Sequence, residues 1–212
     1  MLMAFPSRDD PPVTGRRATA PSLLVHDEGD PQRRDIEAFI RRIYAERYGA
    51  DIRSFAPTLV SLQDRGEPVA AAGYRAALRG PLFLERYLSA PVQELLATPA
   101  HGAPARRAIV EVGHLAAARA GQGRCLVQRL GPHLADLGFE WVVGTLTREL
   151  HNLFLRMGIS PLTLGRADAT ALADEAGGWG SYYDHEPAVL AGDLRTALHH
   201  LRRGRVGSDG AG

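Results

Sequence analysis

The sequence predicts an α/β (α+β mixed) fold: a central mixed, mostly antiparallel sheet with helices on both faces. Three observations lead there. Residues 108–117 and 139–146 are nearly continuous apolar runs, as expected of strands covered on both sides. Each run is followed by a segment whose apolar residues recur at helical spacing. Two further strand-like runs, 58–63 and 69–77, are joined by the turn-like Asp64-Arg65-Gly66-Glu67-Pro68 and make an antiparallel hairpin.

The elements follow in order. Residues 22–25 form a short apolar strand. Asp30-Pro31 offers an N-cap and a first-turn proline for a helix in which Ile36, Phe39, Ile40, Ile43 and Tyr44 share one face and Gly49 supplies the stop. After the hairpin, 81–96 has apolar residues at helical intervals but is broken by Pro91, which predicts one or two short helices crossing the sheet. The 108–117 strand is interrupted by Gly113, and a glycine within a strand marks a bulge or a close approach. Leu126, Leu130, Leu134 and Leu137 stripe a helix over 121–137, which Pro132 is expected to kink. The 139–146 strand, a short helix over 148–157 and a C-terminal strand region complete the domain.

Composition limits what the chain can be. At 212 residues and 45% hydrophobic it can bury a full core as one domain, expected over 22–203. The ends, 1–21 and 204–212, lack periodicity and are expected to be flexible. Twenty-five basic against 24 acidic residues leave a formal charge of +1, so no global field draws nucleic acid or anionic lipid. There is no lysine, which excludes a lysine base or Schiff base, and every fixed cation is an arginine suited to bidentate contacts. Cys125 is the single cysteine, so neither an intrachain disulfide nor a cysteine-based zinc site forms. Asp184-His185-Glu186 followed by Pro187 reads as a turn rather than a metal cluster, and no metal is expected. No signal peptide and no spanning run is present, and a cytoplasmic protein is expected.

The chemistry concentrates in residues 109–124. Arg119-Ala120-Gly121-Gln122-Gly123-Arg124 stands between a strand and a helix, where glycines free backbone N–H groups at a positive helix end to hold phosphate. This order of elements resembles the GNAT superfamily, whose fourth strand, pyrophosphate loop, third helix and fifth strand match 108–146. The loop departs from that pattern: Ala118 stands where the superfamily has Gln or Arg, and Arg119 comes one place late. The strings LFLERYL, IVEVGHLA, RELHNLFLRMGI and WGSYYDHEPAVLAG further resemble the thermostable haemolysin family. Its fold is thought to be similar to GNAT enzymes and acyl-homoserine-lactone synthases, which implies fatty N-acylation from an acyl-thioester donor, either acyl carrier protein phosphopantetheine or coenzyme A.

The resemblance implies site residues. The synthases begin a fourth-strand motif with a glutamate, onto which Glu111 falls; Gly113 and His114 replace its serine and arginine. An acid there accepts the proton that an attacking amine must lose. Alternatively Glu111 pairs with an arginine such as Arg75, itself a candidate for binding substrate. His114, titrating near neutrality, shares the base role or is a satisfied histidine beside the bulge. Backbone N–H groups after Gly113, Leu115 among them, would stabilise the oxyanion. Tyr182 is the candidate acid for the leaving thiolate, although Trp179, Tyr182 and Tyr183 also fit a pocket lining. Asn152 and Phe154 match a fourth-helix motif that contacts the pantetheine arm. Glu85 borders the acceptor pocket of the crossing helix and either binds the cationic amine or pairs with a nearby arginine. Arg106, Arg107, Arg119, Arg124 and Arg129 grip coenzyme A phosphates or meet an acidic carrier protein. Direct attack, with no covalent enzyme intermediate, is the expected route. The readings set beside it are a membrane-lytic haemolysin and a non-catalytic acyl-thioester-binding protein.

Overall fold

The computed structural model describes residues 21–206. The expected flexible N-terminal segment therefore lies outside the described residues apart from position 21, as does the expected tail beyond position 206. Residues 204–206 are the last turn of a helix.

One seven-stranded sheet organises the chain in the order β1 (Ser22–His26), β2 (Thr58–Asp64), β3 (Glu67–Ala76), β4 (Ile109–Ala117), β5 (Trp141–Leu146), β7 (Ala188–Asp193), β6 (Leu162–Arg166). β4 and β5 pair in parallel and the remaining neighbours pair antiparallel. This is the mixed, mostly antiparallel sheet expected. On one face α1 (Arg33–Tyr48) buries Ile36, Phe39, Ile40 and Tyr44 against β2, β3 and β4. On the other, α3 (Gln122–Asp136) lays Leu126, Leu130 and Leu134 on Val110 and Val112. The alternating faces of β4 thus feed two separate cores, which is why its sequence reads as continuously apolar.

Several local expectations change. α1 begins at Arg33 with Gln32 as its cap, because the Asp30 carboxylate is spent on a preceding turn, accepting the Gln32 N–H at 2.7 Å. Gly49 ends the helix in the left-handed region, φ 64°, which favours glycine. α3 is a single helix with Pro132 inside it. The crossing segment resolves into a 3-10 turn, Phe83–Tyr87, and the single-turn α2 (Val92–Leu95), separated at Pro91. The expected short helix is α4 (Arg148–Arg156). The expected C-terminal strand region is β6, a long 3-10 stretch (Ala169–His185), β7 and a helix that the sequence reading missed, α5 (Leu194–Val206).

Candidate active site

The site forms where the parallel pair comes apart. β4 and β5 are in register at Ile109↔Trp141, Val110↔Val142 and Glu111↔Val143, and pairing stops there. The next residues, Val112 and Gly144, pass so closely that a Cβ on Gly144 would lie 2.6 Å from the Val112 carbonyl oxygen. Beyond this point the strands bound two cavities that share Val112. Leu115, Leu130, Leu134, Phe154 and Leu198 help to line an apolar one on the α3 side. Glu111, Gly113, His114, Arg75, Trp179 and Tyr183 help to line a polar and aromatic one on the α1 side.

A bulge sets which side chain faces which cavity. Gly73 pairs with Gly113 and Ala71 with Ala116, so His114 and Leu115 together oppose Ala72. His114 adopts φ 53°, a conformation costly for a residue with a Cβ and one that accumulates at functional sites. Strict alternation would have turned Leu115 into the polar cavity. The bulge keeps His114 beside Gly113 there and sends Leu115 into the apolar one. The strained residue is therefore His114, one place after the glycine expected to mark it. Gly113 has a different use: nothing lies within 4 Å of where its Cβ would be, so its missing side chain keeps the polar cavity open.

Glu111 is held from the crossing segment. Its Oε2 accepts the Phe83 N–H and its Oε1 the Leu84 N–H, each at 2.9 Å. Burial raises its pKa above the ordinary range, outweighing these two bonds and the field of Arg75. A carboxyl so placed is a stronger base than a solvated one and remains fixed in direction. Arg75 is its register partner across β3 and β4, yet the two form no ion pair, so the alternative reading, a Glu111–Arg75 pair, is absent.

Other expected roles do not survive the geometry. Burial pushes the pKa of His114 down to about 4, so the imidazole is neutral and too weak a base to share the proton of an amine. Its Nδ1 is buried without a hydrogen-bond partner. Tyr182 is packed in the α1 core and donates its hydroxyl to the Thr145 carbonyl at 3.0 Å. Burial raises its pKa well above 10.0, which unfits it as the acid for a leaving thiolate. Glu85 lines neither cavity. It accepts from Leu82 N–H at 2.7 Å, Val92 N–H at 3.0 Å and Arg106 at 2.7 Å. Burial alone would raise its pKa, but these bonds hold it below the ordinary carboxylate value. Arg106 also donates to the carbonyls of Ala77 and Gly80. Both residues staple the crossing segment that presents Phe83 and Leu84 to Glu111, and both line a separate, open cavity with Pro81 and Gln93 rather than the two beside β4.

The glycine loop keeps only part of its expected form. Gly121 takes φ 86° at the start of α3, as a helix-opening glycine should. Gln122, however, turns its Oε1 back to accept the Arg119 N–H at 2.7 Å, which occupies one donor of the cradle. Arg119 and Arg124 are exposed at the loop and Arg129 is exposed further along α3, whereas Arg107, also exposed, precedes β4 and so stands at the opposite end of that strand; Gly123 packs near Ala117. Phe154 reaches the apolar cavity, whereas Asn152 is exposed and touches neither. Cys125 is exposed.

Trp179, Tyr182 and Tyr183 all stand in the wall of the polar cavity, the lining reading set beside the acid role of Tyr182. Residues the sequence reading missed complete that wall: Tyr44, Phe55, Phe83 and Tyr87 line it, and the Tyr87 and Tyr183 hydroxyls meet at 2.7 Å. The run of aromatics in LFLERYL and WGSYYD was the available signal. Gly144, an isolated glycine in an apolar strand, was the signal for the parting of β4 and β5.

Solved structures share this architecture. TofI in an apo form is 17% identical with a TM-score of 0.59, covering 85% of this chain and 96% of that chain. BjaI, a coenzyme A-dependent acyl-homoserine lactone synthase solved with SAM and isopentyl-CoA, is 15% identical with a TM-score of 0.58, covering 89% of this chain and 90% of that one. FeeM, an N-acyl amino acid synthase from uncultured soil microbes, is 12% identical with a TM-score of 0.57, covering 84% and 94%. At such identities the likeness is one of fold. No curated protein sequence matches. The profile of the thermostable hemolysin family matches residues 26–198, a span that contains the splayed strands and the whole polar cavity, and the chain belongs to the thermostable hemolysin family.

Proposed function

We propose that the chain is an N-acyltransferase that moves a fatty acyl group from an acyl thioester to an amine by direct attack. The observation that carries this reading is the end of β4–β5 pairing after Glu111 and Val143. Beyond it an apolar cavity suited to a hydrocarbon tail and a polar cavity in which a raised-pKa carboxylate is fixed have Val112 as a common wall. In this reading the thioester carbonyl lies beside Val112, between the two. One proton of the acceptor ammonium goes to Glu111 and on to solvent, and the free amine attacks the carbonyl carbon. Backbone N–H groups at the His114–Leu115 bulge stabilise the oxyanion. As the C–S bond breaks, a second proton passes from the nitrogen of the adduct, directly or through water, to the departing sulfur. No protein acid is then required for the thiol to leave.

The donor is an acyl carrier protein or coenzyme A. The exposed arginines around the start of α3 suit the phosphate of either, and the donor N–H taken by Gln122 favours a carrier with its single phosphodiester. The test is mass spectrometry of lipid extracts from cells that do and do not make the protein. A new N-acylated species is expected, and its absence with well-folded protein counts against acyl transfer. The family name raises direct lysis as a separate outcome. No helix among the described residues is long and apolar enough to cross a membrane, and vesicles mixed with the protein without donor are expected to retain their contents. Cys125→Ser is expected to keep turnover within about twofold of wild type, as an exposed side chain away from the reacting atoms should. A collapse in rate would overturn direct attack.

A further inference from the structure

The acceptor amine also carries a carboxylate: we infer that the polar cavity takes an α-amino acid, its amine at Glu111 and its carboxylate at Arg75. This inference rests on the acyl-transfer reading and adds the class of acceptor. Arg75 and Glu111 stand directly opposite each other on β3 and β4 and line the same cavity. Beside them Gly113 contributes no side chain, and nothing lies within 4 Å of where its Cβ would be, whereas the space over Gly73 is filled by Ala56, Leu59 and His114.

The two charges differ in how they are satisfied. Both oxygens of Glu111 are already occupied by Phe83 and Leu84 N–H groups. Arg75 is half-buried and makes no hydrogen bond or ion pair among the described residues. Comparable arginines in this chain are saturated. Arg33 bonds Glu37 and the carbonyls of His26, Pro57 and Ala56, and Arg106 bonds Glu85, Gln93, Ala77 and Gly80. A cation withdrawn from water without a partner is costly, and a guanidinium fork matches a carboxylate with two parallel bonds.

The rest of the cavity agrees. His114 contributes no second cation, since burial, with Arg75 and Arg33 nearby, keeps it neutral. The cavity therefore offers one fixed positive and one negative group on neighbouring strands, the complement of a zwitterion. A plain amine would leave the guanidinium unpaired and facing an ammonium of like sign. Tyr44, Phe55, Trp179 and Tyr183 leave apolar and aromatic surface for the side chain of the amino acid.

The experiment compares alanine, leucine and phenylalanine with ethylamine, isopentylamine and phenethylamine, the same molecules without the carboxylate, using acyl-thioester donors of short, medium and long chain. The amino acids are expected to be acylated with kcat/KM higher by about 100-fold, the scale of a charge-assisted bidentate contact. Arg75→Gln should reduce that preference to under about tenfold through the KM of the amino acid, and Arg75→Lys should restore part of it. 3-Phenylpropionate, which keeps the carboxylate and lacks the amine, should inhibit competitively, and Arg75→Gln should weaken it. Equal acylation of both series, or a preference intact in Arg75→Gln, overturns the inference and leaves acyl transfer standing. Acylation of neither series by any donor overturns both.

Discussion

Glu111→Gln is expected to lower the chemical step by about two to four orders of magnitude, the contribution of a positioned general base. The wild-type rate should fall as pH drops through a midpoint above the ordinary carboxylate value of 4.5, because burial raises the pKa of this group and protonation removes the base. The variant should lack that limb. Free-thiol release, followed by a thiol-reactive dye across pH, measures both. The substitution also has a structural effect: a Gln amide nitrogen cannot accept a hydrogen bond, so one of the Phe83 and Leu84 N–H groups loses its acceptor. A buried donor left so costs about 1–3 kcal/mol, visible as a lower Tm. The pH dependence of stability has a definite sign as well. A carboxyl whose folded pKa is raised contributes stability that is present below its unfolded pKa and lost as pH rises through the folded one. That loss should vanish in Glu111→Gln. A variant with lowered Tm and wild-type rate would mean that Glu111 only anchors the crossing segment.

Gly180→Ala is expected to cost more stability than alanine at the other glycines of its 3-10 stretch. Gly180 sits at φ 53°, ψ −132° within the 3-10 stretch that carries Trp179, Tyr182 and Tyr183. An added Cβ would lie 2.0 Å from the Tyr48 carbonyl oxygen and 2.9 Å from the Gly49 carbonyl carbon. Both contacts are with backbone at the end of α1, so no side chain can swing aside. The neighbouring bonds, Asp51 N–H to the Gly178 carbonyl at 2.7 Å and the Ser181 hydroxyl to the Tyr48 carbonyl at 3.2 Å, hold the segment against that helix end. Overpacking and a disallowed backbone together cost about 3 kcal/mol or more, roughly 10 °C in Tm for a chain of this size. Trp179 and Tyr183 would shift with the segment, so activity should fall too. Gly177→Ala, in the same stretch with nothing within 4 Å of its Cβ, is the control and should melt like wild type. Equal Tm values for the two variants would show that the contact with α1 can relax.

Much of the fold was legible because it is written locally. The stripe Ile36, Phe39, Ile40, Ile43 and Tyr44, the hairpin turn and the apolar β4 and β5 each carry their period within a dozen residues. α5 was legible too and was missed: Leu194, Ala197, Leu198 and Leu201 keep helical spacing, and Asp193 accepts the Thr196 N–H at 2.6 Å as a cap. The chain position of the site was equally readable, since Glu111 and Gly113 are marked by charge and by a glycine inside an apolar strand.

Roles were harder to read than positions. Glu85 and Glu111 are both acids in apolar surroundings, and nothing local separates them. Arg106, 21 residues from Glu85, and Phe83, 28 residues from Glu111, do so by satisfying one with a guanidinium and the other with backbone alone. His114 and Tyr182 were placed by side-chain chemistry measured in water, and burial then moved both pKa values away from usefulness.

The sequence by itself therefore determined most of the elements, their order and the strand that lines both cavities, because periodicity, capping and glycine placement are properties of neighbouring residues. Only the tertiary structure decided the side of the sheet each residue faces, where β4 parts from β5, and which charges are paired. A single bulge reverses the parity of β4 after His114, and desolvation depends on segments brought together from across the chain.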